Sequence, residues 1–224
     1  MSAPPSSAPT STEGYISFHG HKTWYRAVGG GDPSKLPLLT LHGGPGAGHD
    51  YLEPFESLAA DGRQVIFYDQ LGCARSAIEE PHDPAVWTIE LFVAEVDAVR
   101  AALGLDRLHI LGQSWGGMLL MEYMLTKPGG VASIVIESSP CDMRQWVAEA
   151  NRLREALPPE VEAALQQHEA AGTTDSPEYE KAMQVFYDKH VCRVPPPPCV
   201  QRSFAQIAED PTVYHTMNGP SEFH

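Results

Sequence analysis

The sequence predicts an α/β fold, a mostly parallel sheet flanked by helices with a helical lid attached. Two observations carry that prediction. From about Tyr15 to Pro140, short apolar runs alternate with amphipathic helical patterns, and such alternation builds a parallel sheet covered by helices on both faces. After Pro140 the strand-like runs stop, and helical patterns separated by proline or glycine continue to the end. The expected division is a disordered leader over 1–13, a core over 14–140 and a helical cap over 141–224.

Each element has its own signal. "MSAPPSSAPTST" (1–12) has no cation and no apolar run, so it is not a secretory signal, and its Pro, Ser and Ala content cannot pack. "YISFHGHKTWYRAV" (15–28) reads as a hairpin turning near His19–Gly20. "LPLLTLHGG" and "RQVIFYDQ" are continuous apolar runs ending in Gly or Asp, as buried parallel strands are. In "TIELFVAEVDAVRAALG", Ile89, Phe92, Val93, Val96 and Val99 recur at helical spacing, with Thr88 as N-cap and Gly104 just past the C-terminus. The strand "LHILGQS" follows, then a helix from about Trp115 to Thr126 stopped by Pro128–Gly129, then the strand-like "ASIVIESSP". Beyond it, "DMRQWVAEANRLREAL", "PPEVEAALQQHEAAG", "SPEYEKAMQVFYDKHV" and "VQRSFAQIAED" are all helical patterns. A lid over the sheet's carboxyl edge, where open α/β sheets bind ligands, is expected rather than a separate helical domain.

The totals narrow the partners. Lys plus Arg is 15 against 29 Asp plus Glu, a net charge of -14, which disfavours nucleic acid and anionic membrane surfaces. No apolar stretch approaches the length of a membrane span. The four cysteines show no CxxC pair and no metal-finger spacing. Cys192 and Cys199 flank the Pro195–Pro198 run, but reduced thiols in a cytoplasmic protein are the preferred reading.

Two glycine-rich turns carry chemistry. Gly112–Gln113–Ser114–Trp115–Gly116 fits G-x-S-x-G, with an apolar strand before it and a helix after it. That context places Ser114 on a sharp turn at the top of the sheet, with the Trp115 N–H directed at developing negative charge. "LLTLHGGPG" ends another strand in Gly43 and Gly44, whose backbone N–H groups are open to a ligand and supply a second oxyanion donor. No metal or cofactor is implied by this set of residues.

Together, "HGGPG" (42–46), "DQLGCARS" (69–76) and "GQSWGG" (112–117) resemble the prolyl aminopeptidases, also called proline iminopeptidases, a family of α/β-hydrolases. The resemblance continues in "KHVCR" (189–193) and "NGPSEF" (218–223). Ala74 departs from a glycine common in the family's second motif, and Pro195–Pro198 is denser in proline than its counterpart. The resemblance implies Ser114 as nucleophile, Gly44 and Trp115 as oxyanion donors, Gly43 in substrate binding, and Glu222 as the acid that holds a substrate's free α-amino group. The implied substrate is a peptide or amino-acid amide with a free N-terminus, proline preferred.

The rest of the triad is the open question. The family order is Ser, then Asp or Glu, then His, but no strand pattern follows Pro140. Asp188 with His190, or Asp210 with His215, gives the right order, yet each reads better as a solvated helix face. His42 and His109 precede Ser114 and read as structural. The expectation is therefore that the triad Asp and His are not in this chain, that the chain stops short of the family's length, and that its own activity is low. The rival readings are an esterase or amidase using the same Ser114, and a non-catalytic protein of the same fold that binds a ligand beneath the lid.

Overall fold

A computed structural model describes residues 9–78, 83–219 and Phe223. Among the described residues, six strands form one mixed sheet in the order β1-β2-β4-β3-β5-β6. They are β1 (Ser11–Phe18), β2 (His21–Gly29), β3 (Leu38–Leu41), β4 (Gln64–Tyr68), β5 (Leu108–Gln113) and β6 (Val131–Glu137). The hairpin β1–β2 and the β2–β4 pair are antiparallel, whereas β4–β3, β3–β5 and β5–β6 are parallel. The α-helices among the described residues are, in chain order, α1 (Ile89–Ala102), α2 (Trp115–Leu125), α3 (Met143–Arg154), α4 (Pro159–Ala171), α5 (Pro177–His190), α6 (Pro198–Glu209) and α7 (Thr212–Asn218).

Strand alternation sorts the core into two faces. Leu39, Leu41, Ile66, Tyr68, Leu108 and Ile110 join Phe92, Val96 and Val99 of α1 and Leu119, Leu120 and Tyr123 of α2 in one cluster. Their sequence neighbours Leu38, Val65, Phe67 and Leu111 point the other way and pack with Leu52 and Ala59. The second face is therefore covered by a 3-10 segment, Asp50–Asp61, which carries Pro54 inside it. Thr88 caps α1 by accepting from the Leu91 N–H, and Gly104 follows its end with a φ of 64°, as the sequence requires.

The expected leader over 1–13 ends too late: residues 1–8 lie outside the described residues, and β1 begins at Ser11. Ser11, Thr12 and Glu13 pair with Val28, Ala27 and Arg26 as the start of β1, and Arg26 Nε donates to Ser11 Oγ. Backbone pairing orders these residues although their composition is poor in apolar side chains. The boundary at 140 also needs correction. The chain forms two compact units, the described residues of Met1–Cys141 with Cys199–Met217, and those of Asp142–Pro198 with Asn218–His224. Residues 199–217 thus belong with the sheet, because Asp50 binds Arg202 and Gln206 of α6 and Val213 of α7 enters the sheet's core cluster.

The second unit, α3 to α5, has its own core of Leu157, Leu165, Tyr179, Met183, Phe186 and Phe223. Asp142 and Ser176 cap α3 and α5. The buried Arg154 guanidinium pairs with Glu162 and Glu169 at 2.9 Å each and lies 4.4 Å from the Phe223 ring centroid. An arginine so enclosed needs both carboxylates, since an uncompensated buried charge is strongly destabilising. Among the described residues, no helix is long and apolar enough to cross a membrane, and the four cysteines are unpaired.

Candidate active site

Ser114 sits between β5 and α2 with φ 55° and ψ -123°. A positive φ is unusual for a residue with a side chain and is held only where the surroundings enforce it. Here the Ser114 N–H donates to the Glu137 carbonyl of β6 at 2.9 Å, and its own carbonyl accepts from the Gly117 N–H at 2.9 Å. Gly116 makes the turn possible: a Cβ on it would collide with the carbonyl of Leu41 and lie 2.7 Å from that of His42. The helix can begin this close to β3 only without that side chain.

The three glycine-rich or acidic turns are joined by side-chain hydrogen bonds. His42 Nε2 accepts from the Gln70 N–H at 2.9 Å, so the proton sits on Nδ1, which donates to the Gly43 carbonyl at 2.9 Å. Burial lowers the His42 pKa to about 4, so the ring is neutral and both nitrogens are occupied in holding the turn. Gln70 Nε2 donates back to the His42 carbonyl at 2.8 Å, and Gln70 Oε1 accepts from Trp115 Nε1 at 2.9 Å. One glutamine therefore ties the turn after β3 to the first residue of α2.

Asp69 anchors the same region. Burial raises its pKa, but hydrogen bonds from His49 outweigh that effect and hold the carboxyl below its usual value. Its Oδ1 accepts from His49 N at 2.8 Å and faces His49 Nδ1 at 2.7 Å, while Oδ2 accepts from Arg75 N at 3.2 Å. Asp50, also fully buried, accepts from Arg75, Arg202 and Gln206.

Two backbone donors remain. The N–H groups of Gly44 and Trp115 have no acceptor among the described residues. The Gly43 N–H, by contrast, donates to Tyr51 Oη at 2.6 Å. Trp115 opens α2, where the helix dipole favours negative charge. The Ser114 hydroxyl has no hydrogen-bond partner among the described residues.

The other sequence candidates fall away from one another. Asp188 accepts from Gln184, and His190 packs on Phe186 with its Nε2 buried and unpartnered. Asp210 accepts from the Thr212 N–H at the start of α7. Neither Asp188–His190 nor Asp210–His215 forms a hydrogen-bonded pair among the described residues, and His109 contacts Ser133 at 2.7 Å. Glu222 lies outside the described residues. Sequence reasoning did not single out Tyr51, Gln70 or Asp69 as site residues; the only signal was the position of Asp69 and Gln70 at the head of "DQLGCARS".

Comparison with known proteins resolves the family. A family model described as the α/β hydrolase fold matches residues 37–198. The proline iminopeptidase of Lactobacillus helveticus is 40% identical over 215 residues, covering 94% of this chain and 71% of that protein. The chain belongs to the proline iminopeptidase family of α/β-hydrolases. The crystal structure of the Mycobacterium smegmatis proline iminopeptidase superposes with a TM-score of 0.84 at 47% identity, over 95% of this chain and 73% of that one. The crystal structure of VinJ superposes with a TM-score of 0.91 at 44% identity and the same coverage. Proline iminopeptidase membership agrees with the sequence motifs, and hydrolase function of the aminopeptidase type follows from it.

Proposed function

We propose that this protein is a serine aminopeptidase that releases N-terminal residues, proline preferred, from peptides or amino-acid amides through an acyl-enzyme. The observation that carries the proposal is the conjunction at the elbow. Ser114 is held at positive φ beside two N–H donors, of Gly44 and Trp115, that nothing else among the described residues uses. Ser114 Oγ attacks the carbonyl carbon of the substrate's first residue, and the oxygen turned negative is stabilised by Gly44 N–H and Trp115 N–H. The proton given up by the Ser114 hydroxyl passes to the departing amine as the C–N bond breaks, and water then cleaves the ester, releasing the acid and returning a proton to Ser114 Oγ. Each such donor contributes a rate factor of about 10²–10³.

An aminopeptidase must separate a free amine from an acylated one. Glu222 is assigned to that task, because a carboxylate facing an ammonium forms a charged hydrogen bond contributing about 1.5–3 kcal/mol. Gly43 completes the substrate-facing turn. This chemistry requires no metal or organic cofactor. Four unpaired thiols and the net charge of -14 support a cytoplasmic protein acting on small substrates, with neither nucleic acid nor membrane as partner.

The test compares a prolyl arylamide carrying a free amine with its N-acetylated form. The proposal expects turnover of the first alone, slow because neither Asp188–His190 nor Asp210–His215 forms a triad pair among the described residues, and loss of it in Ser114→Ala. Equal hydrolysis of both would establish an esterase or amidase, and turnover retained in Ser114→Ala would remove the nucleophile assignment.

A further inference from the structure

We infer that Tyr51 is a positioning residue for this site: its phenol links the Gly43 amide to the Gln113 side chain, locks the turn bearing Gly44 against the Ser114 elbow, and withdraws the Gly43 N–H from the oxyanion hole. The role rests on the proposed use of Ser114, Gly44 and Trp115.

The directions of the two bonds are fixed by chemistry. The Gly43 N–H can only donate, so Tyr51 Oη accepts it at 2.6 Å, and the one phenolic proton goes to Gln113 Oε1 at 2.5 Å. Gln113 immediately precedes Ser114, so this chain of two bonds runs from the turn after β3 to the nucleophile's own strand. The three parts meet at one point. A Cβ on Gly43 would lie 3.0 Å from each of Gln113 Oε1, Ser114 Cβ and Tyr51 Oη. A side chain at 43 would press on all three, so glycine lets the phenol approach without displacement.

The phenol is itself held in place. The Tyr51 N–H donates to Ser203 Oγ of α6 at 3.1 Å, and the preceding Asp50 is fixed by Arg75, Arg202 and Gln206. Its ring packs against the cluster of Leu52, Phe67 and Leu111. Burial pushes its pKa well above the usual tyrosine value, so the link stays protonated across working pH and does not act as an acid or base. With the Gly43 N–H taken by Tyr51, Gly44 is left as the donor that the proposed mechanism assigns to this turn.

Tyr51→Phe removes one oxygen and keeps the ring. Two measurements are made on the intact protein: turnover of the free-amine prolyl arylamide, and amide hydrogen exchange at Gly43. Misplacing a catalytic group by a fraction of an ångström to an ångström lowers rate by about 10- to 100-fold, so kcat should fall by that factor. KM should stay within about twofold, because the phenol is not a substrate contact, and the pH profile should keep its shape. Exchange at Gly43 should quicken about five- to tenfold, the equivalent of one lost hydrogen bond, with the β3 and β5 amides unchanged. Gln113→Met removes the far acceptor and should shift kcat in the same direction by less, which reads the link if Tyr51→Phe does not fold.

Unchanged kcat, a rise in KM alone, or unchanged exchange at Gly43 would overturn the inference. Absence of turnover in the unsubstituted protein would instead defeat the proposed activity. The exchange measurement then decides by itself: quickening confined to Gly43 sustains the phenol link, and no quickening removes it.

Discussion

A methyl group on Gly116 would meet the carbonyls of Leu41 and His42, and neither can yield, because Leu41 pairs with Gly112 and Gln70 Nε2 binds the His42 carbonyl. Gly116→Ala should destabilise the protein by about 1–3 kcal/mol, the usual cost of overpacking. Gly129, with open space around its Cβ position, is the matched control, and Gly129→Ala should leave a urea melt nearly unmoved. At this scale the sequence was most legible where glycine spacing encodes close approach, as in "HGGPG" and "GQSWGG". It was least legible where one side chain of ordinary type does the holding. Tyr51 and His49 carry no pattern of their own in "GHDYLEPFE"; their partners, Gln113 and Asp69, lie 62 and 20 residues away.

Helix α1 contributes a titrating core group. Glu95 is fully buried, and burial raises its pKa from 4.5 to about 7, partly offset by hydrogen bonds from Thr23 Oγ1 and the Leu71 N–H. The folded state binds this proton more tightly than the unfolded chain does. The stabilisation is fully present below about 4.5 and is lost as pH rises through about 7. Glu95→Gln should flatten the decline in stability between those values, as read from denaturation midpoints across that pH range; an unchanged slope would show that Glu95 does not titrate there.

The docking of α6 is a second property of elements. Asp50 is fully buried and holds Arg75, Arg202 and Gln206, and these hydrogen bonds outweigh the burial that would raise its carboxyl pKa. Asp50→Ala removes the shared acceptor, strands Gln206 Nε2, and should cost about 3 kcal/mol. Arg202→Ala should cost much less, because that guanidinium is exposed and screened by solvent. Equal costs would contradict this placement of Asp50 at the centre. Helical patterning predicted α6 itself, but not its membership of the sheet unit, since that depends on side chains 152 and 156 positions apart. The 3-10 segment over the second sheet face was likewise hidden, as Pro54 interrupts any helical period there.

For the molecule as a whole, the alternation of strands and helices anticipated the sheet flanked by helices, and the helical patterns after Pro140 anticipated α3 to α6 as helices but not how they divide between the two units. The outer edge of β6 is paired by no strand among the described residues. Ile134, Val135 and Ile136 are 39%, 47% and 42% exposed there. An apolar, unpaired edge is a template for adding another chain. If this edge recruits other chains, Val135→Lys should lower concentration-dependent light scattering while leaving the denaturation midpoint nearly unchanged, and unchanged or absent scattering would contradict that role.

The central claim is that the elbow makes Ser114 the nucleophile. Intact-mass and peptide mass spectrometry after treatment with a fluorophosphonate tests it most directly. The account predicts one adduct, on the peptide containing Ser114, and none in Ser114→Ala. An adduct on another residue, undiminished labelling of Ser114→Ala, or no labelling of the unsubstituted protein would contradict it.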